Sequence, residues 1–252
     1  MRNKNNLIFL TGVFLVLFNS HKIEAGEENI LLQISQANEF YHEKEYQSAA
    51  NIFEGLVSQG QHSGYLYYNL GNTYMRLGET GSAILNYLHA KKILPRDESL
   101  DANLRNAISQ TVDQLPPQIP ILHGLLFWIE AMSLIEHIQL LIIINIVFWS
   151  VSIGLTYYRK PSWNMLKNIT LGVLLIISFS TGIKYYSSIK QKYGVVLISK
   201  VDIKSDRSIN DITLFQLHEG AIISINQEEE NWIQVSLDKD KSGWVQKKTI
   251  GF

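Results

Sequence analysis

The chain of 252 residues has no cysteine, which excludes disulfides, thiolate metal ligands, a cysteine nucleophile and the lipidated cysteine of a bacterial lipoprotein. Any membrane attachment must come from polypeptide segments. An excess of charge is missing too: 22 Lys and Arg stand against 23 Asp and Glu, a net charge of -1, so no basic field exists to neutralise phosphates and no nucleic-acid partner is expected. Signatures of catalysis are lacking as well. The seven histidines (His21, His42, His62, His89, His123, His137 and His218) include no pair at i,i+4 and no HExxH. There is no G-x-S-x-G elbow, no Gly-rich phosphate loop and no GxGxxG after a strand. The carboxylates fall on predicted solvent faces or in turns, where no pocket would shift their pKa. The chain therefore reads as non-enzymatic, with no catalytic residue, cofactor or metal. At 46% hydrophobic and 18% charged residues it is too apolar for disorder and too polar for a multi-span transporter, which suggests soluble and membrane parts together.

Arg2 and Lys4 precede an apolar run from Leu7 to Phe18, and Ile23-Glu24-Ala25 precedes Gly26. These are the three regions of a signal peptide, expected over residues 1–25. The run is too short to cross a bilayer as a helix, which takes about 20 residues. An uncleaved anchor is the alternative, because Ile23 is bulky for its place before the cut; in either case the chain beyond Gly26 is expected to be exported.

From Glu28 to Val112 the apolar residues recur at helical spacing and the stretch superposes on itself at a shift of 34 residues. In the second copy Tyr67-x2-Leu70-Gly71-x2-Tyr74 is followed by Gly78, Ala83-x3-Tyr87, Ala90 and Pro95. This spacing resembles the tetratricopeptide repeat, with Tyr67 where Trp is commoner. Gly71, Ala83 and Ala90 are small where antiparallel helices approach, Leu70, Tyr74 and Tyr87 fill the seam, and Pro95 stops the second helix. The first copy keeps Ala37, Phe40 and Ala49-x3-Phe53 but is degenerate. Asp97 can cap a further helix, so a solenoid with a capping helix is expected over residues 27–113.

The resemblance implies a concave groove lined by the first helix of each pair: Leu31, Ile34, Asn38 and Tyr41, then Tyr65, Tyr68, Asn69, Asn72, Met75 and Arg76. Tyr and Asn could grip an extended peptide through apolar area and backbone hydrogen bonds. Alternatively, Tyr65 and Tyr68 complete the packing between hairpins. Ile34 and Ala102 stand where a carboxylate-clamping repeat would carry Lys, which argues against that specificity.

Pro116, Pro117 and Pro120 open a linker that, with an interfacial helix, fills residues 114–137. A first transmembrane helix is expected at 138–158, a basic loop at 159–168 and a second span at 169–186. Gln139 and Asn145 are the only strongly polar side chains of the first span and are expected to bond a neighbouring helix. Arg159, Lys160 and Lys167 place the loop in the cytoplasm, leaving both flanking regions outside.

Beyond Tyr193 the period becomes 2, with strands at Val195–Ile198, Val201–Lys204, Leu214–Leu217, Ile222–Asn226, Trp232–Leu237 and Gly243–Gln246. The run Leu217-x-Glu219-Gly220, Asn231-Trp232-Ile233-x-Val235, Gly243-Trp244-Val245 is similar to bacterial SH3-like domains, implying a small barrel over residues 193–252. Trp232 and Trp244 are either a ligand platform or part of that domain's core.

The expected fold is multi-domain: an all-α tetratricopeptide-type solenoid, a two-helix transmembrane hairpin and a small all-β SH3-like barrel. In that order the modules resemble the BatE-type proteins of the Bat aerotolerance group. The resemblance implies an inner-membrane protein with both terminal domains in the periplasm. It also implies protein partners, von Willebrand factor A-type membrane proteins and a MoxR-type ATPase system, and a role as scaffold. The alternative is a sensor or anchor that binds peptidoglycan peptide through the SH3-like domain.

Overall fold

The computed structural model describes residues 25–113, 127–157, 161–190, 192–238 and 241–252. The leader as far as Glu24, the proline-rich linker and the Arg159-Lys160 pair lie outside the described residues.

Among the described residues five helices come first: α1 (Ala25–His42), α2 (Tyr46–Ser58), α3 (Gly64–Leu77), α4 (Thr80–Ile93) and α5 (Glu98–Ser109). The starts of α2 and α4 are 34 residues apart, as are those of α3 and α5, so the sequence period is also the structural one. Matching caps begin the last pair. Ser63 Oγ accepts the Leu66 N–H at 3.1 Å and Asp97 Oδ1 accepts the Leu100 N–H at 2.9 Å, each satisfying a first-turn amide that has no partner in its own helix. Ala37, Ala49, Ala50, Phe53, Leu56, Leu66 and Leu70 form the seam of α1 to α3. Tyr67, Ala83, Ile84, Tyr87, Ala90, Leu100, Leu104 and Ala107 form that of α3 to α5.

Next come α6 (Phe127–Ala131), α7 (Leu134–Tyr157) and α8 (Pro161–Lys190). The last two are long and apolar enough to cross a membrane. Their 24 and 30 residues rise about 36 and 45 Å, against roughly 30 Å of hydrocarbon. Both outrun their apolar runs. A capping box starts α7: the Ser133 N–H donates to Glu136 Oε2 at 2.7 Å, and Ser133 Oγ accepts the Glu136 N–H at 3.2 Å. Pro161 begins α8 where a loop to Asn168 was expected, since a first-turn proline loses no helical hydrogen bond.

The rest is one antiparallel sheet: β1 (Lys192–Val196), β2 (Lys200–Lys204), β3 (Thr213–His218), β4 (Ile222–Glu228), β5 (Trp232–Asp238), β6 (Lys241–Gln246) and β7 (Ile250–Gly251). Its order is β3-β2-β6-β5-β4-β1-β7, so the ladder has two edges rather than the closed ring of a barrel, and β7 was not foreseen. Every strand still sends residues to a single core that includes Val196, Ile203, Leu217, Ile223, Ile233, Val245 and Ile250. Register shifts in the β2–β3, β4–β5 and β5–β6 ladders bend the strands around it.

Sheet and solenoid are packed together. Val195 and Ile222 belong to the same buried cluster as Tyr87 and Leu100. At the start of α4 the Gly81 N–H donates to Glu219 Oε1 at 2.8 Å, and a Cβ on Gly81 would lie 2.6 Å from the Val196 carbonyl oxygen. The His218 N–H donates to Asp113 Oδ2 at 2.7 Å. Arg96, between α4 and α5, donates to the Ala131 carbonyl at 2.7 Å and pairs with Glu136, tying the solenoid to the head of α7.

Candidate protein-binding groove

On one side of the helical unit α1, α3 and α5 bring amide side chains together. Asn69 Nδ2 donates to Asn38 Oδ1 at 3.3 Å, joining α3 to α1. Asn103 Nδ2 donates to Asn72 Oδ1 at 2.8 Å and to the Tyr68 hydroxyl at 3.0 Å, joining α5 to α3. Both amide pairs are separated by 31 residues, one period less a helical turn. Asn72 Oδ1 also accepts the Tyr87 hydroxyl at 2.8 Å, carrying the network through to α4. The Tyr87 ring is 1% exposed, and burial, with the neighbouring Tyr68, raises its hydroxyl's pKa. It therefore stays a neutral donor. A Cβ on Gly71 would stand 2.6 Å from that ring, so α3 and α4 can approach this closely only with glycine there.

Arg76 supplies a cation at one end. Its Nε donates to the Tyr41 hydroxyl at 3.3 Å, an interaction that raises the guanidinium's pKa. Tyr65 is 62% exposed and falls on the helical face of Asn69 and Asn72. Leu31 is also exposed. Four of the residues read from the sequence as groove-lining also pack against the helical core: Tyr68 and Met75 are half-buried against the α3–α5 seam, and Ile34 and Tyr41 against the α1–α3 seam. Asn103 and Tyr87, which complete this hydrogen-bonded network, were not foreseen. The 31-residue spacing that repeats Asn38–Asn69 could have pointed to Asn103.

Elsewhere in the helical unit Tyr67 lies between two histidines. His62 Nδ1 is 2.6 Å from the Tyr67 hydroxyl, and the His89 ring centroid is 5.1 Å from that of Tyr67. Burial, with the charge of Lys92, lowers the His89 pKa to about 4, so the ring is neutral at ordinary pH.

On the sheet, Trp232 and Trp244 are half-buried and lie outside the core cluster. Trp232 pairs in register with Gln246 and Trp244 with Gln234, which puts both indoles on the outer face, opposite Ile233 and Val235. The Arg207 guanidinium sits 5.2 Å from the Trp244 ring centroid and is held there by Glu229, to which its Nη1 donates at 2.6 and 2.7 Å. Trp244 thus has a cation of its own chain over one face.

Neither a protein-family model nor a curated protein matches the chain. Among solved structures it is similar to the Yersinia enterocolitica type III secretion chaperone SycD, crystallised in complex with a peptide of the translocator YopD. The match has 15% identity and a TM-score of 0.33, covering 63% of this chain and 98% of that one. A likeness of that size decides neither fold nor function.

Proposed function

We propose that the chain is a non-catalytic membrane scaffold whose helical unit, a short solenoid of tetratricopeptide type, holds a segment of a partner protein in the Asn- and Tyr-lined groove. The observation that carries this is the row of amides Asn38, Asn69, Asn72 and Asn103 across three helices. Neutral amides offer a donor and an acceptor each, which suits the alternating N–H and C=O groups of a peptide backbone. Tyr65 and Tyr68 add rigid apolar area at small entropic cost.

Anchoring by α7 and α8 is supported by their length and outward apolar surface. Packing of the sheet on α4 requires both to share one aqueous side, which a two-helix hairpin satisfies. The leader-like amino terminus and the cationic connection between the helices favour the periplasmic face of a bacterial inner membrane. The module order supports a place beside von Willebrand factor A-type membrane proteins and a MoxR-type ATPase system. A second reading, peptidoglycan-peptide binding by the SH3-like sheet, draws on the outward Trp232. Arg207 over Trp244 weighs against it.

A photo-crosslinking side chain at Tyr65 in intact membranes tests the groove. The expected result is an adduct to another protein that is lost with Asn69→Ala; absence of any adduct would contradict the reading. Sedimentation of the detergent-solubilised full chain with purified cell wall tests the second reading, and its failure to sediment would remove it.

A further inference from the structure

Asn145 stands at mid-length of α7, within the run Leu141–Trp149 that is otherwise wholly apolar. The α7 hydroxyls nearby are satisfied by their own helix: Ser150 and Ser152 donate to the Ile146 and Phe148 carbonyls, each at 2.8 Å, and Thr156 to that of Ile153 at 2.7 Å. The Asn145 amide is too short to do this for both its N–H donors and its carbonyl. Among the described residues it has no hydrogen-bond partner, and it is exposed. The neighbouring helix of the chain cannot supply one. Gly154 meets α8 so closely that a Cβ there would lie 2.5 Å from the Trp163 ring. Asn145 precedes Gly154 by nine residues, which at about 100° each is half a turn away. The expectation that Asn145 bonds a neighbouring helix therefore cannot be met inside the hairpin.

The face around it has a seam. Ile138, Ile142, Asn145 and Trp149 succeed one another at spacings of four, three and four, the alternation of two helices wound left-handed around each other. The three apolar members are 43%, 54% and 57% exposed. An unpaired amide amid hydrocarbon is costly, and a second such amide at the same depth relieves both. Two copies of this chain inserted with the same topology run parallel, so a two-fold axis along the membrane normal brings Asn145 opposite Asn145. Each amide then donates to the other's carbonyl, a self-complementary contact.

We propose that a second copy of the chain packs along the Ile138–Ile142–Asn145–Trp149 face of α7, with the two Asn145 side chains hydrogen-bonded to each other. This rests on the membrane reading of α7 and α8. The test uses the full chain in native membranes and its lack of cysteine. With Ile138→Cys, Ile142→Cys or Trp149→Cys, oxidation yields a disulfide-linked product of twice the monomer mass, whereas Leu140→Cys does not. Adding Asn145→Leu to Ile142→Cys lowers the dimer yield about ten-fold, and Asn145→Gln retains most of it. No product at any of the three positions, a product of another mass, or a yield indifferent to Asn145→Leu would overturn the pairing. Alkaline carbonate separates the two claims: a retained chain without dimer refutes only the Asn145 contact, and an extracted chain refutes the membrane reading and the pairing with it.

Discussion

Gly81→Ala adds one methyl group where the sheet meets the solenoid. In an exposed helix this change would stabilise by about 1 kcal/mol, since alanine is the better helix former. Here the new Cβ would lie 2.6 Å from the Val196 carbonyl oxygen, 2.9 Å from Glu219 Cγ and 3.3 Å from Leu197 Cα. The first and last of these are backbone atoms and cannot rotate away. Overpacking of this kind costs about 1–3 kcal/mol. If the sheet retreats instead, the Gly81 N–H to Glu219 bond is lost, a further 1.5–3 kcal/mol or so for a carboxylate acceptor. The clash outweighs the propensity gain, leaving a net destabilisation of the interface of about 2 kcal/mol, roughly 30-fold in its opening equilibrium. Hydrogen exchange of the full chain reads this out at His218, whose amide is bonded across the same interface to Asp113 and is remote in sequence from the substitution. Exchange at residues 213–221 is expected to quicken by that factor while the Phe53–Leu70 core is unchanged. A variant with unaltered His218 exchange and a raised melting temperature would refute the docking of sheet on helix.

Asn72→Ala removes the acceptor that the buried Tyr87 hydroxyl and the Asn103 amide share. It should cost about 1–3 kcal/mol in denaturant unfolding, against under about 1 for Asn69→Ala; equal costs would contradict the network. His89 has a folded pKa of about 4 beneath an ordinary 6.5, so the unfolded chain binds the extra proton first and stability falls as pH drops from about 6.5 to 4. His89→Gln should flatten this part of the pH profile of the melting temperature relative to the parent, and parallel profiles would exclude the assignment. Ser133→Ala removes the capping hydroxyl of α7 and should loosen its first turn by about 1 kcal/mol, seen as faster exchange at residues 134–137. No change there would mean that the Arg96 contact alone holds the helix start.

The helical unit was legible because its signals are local and repeat: the small residues at Gly71, Ala83 and Ala90, and the cap at Asp97, occur where antiparallel helices need them. The alternation at Trp232-Ile233 was legible for the same reason, since a period of two assigns opposite faces without knowledge of the partner strand. Contacts between distant parts were not. Gly81 and Glu219 are 138 residues apart, and nothing around either predicts the other. Hydropathy marked the apolar runs but not the helix ends, which the Ser133–Glu136 box and Pro161 decide. β7 is two residues long, too short for a periodic signal, and is defined by its pairing with Val195 and Val196. Asn103 escaped notice because α5 looks like a plain cap when judged by its apolar stripe alone.

The central claim is that a hairpin of two apolar helices holds the groove and the sheet on one side of a membrane. Cysteine accessibility tests it most directly, with single probes in the otherwise cysteine-free chain at Ser63, Ser162 and Ser208. An impermeant thiol reagent applied to intact cells should label Ser63→Cys and Ser208→Cys and spare Ser162→Cys until the membrane is opened. Labelling of Ser63→Cys and Ser208→Cys from opposite sides would contradict the account.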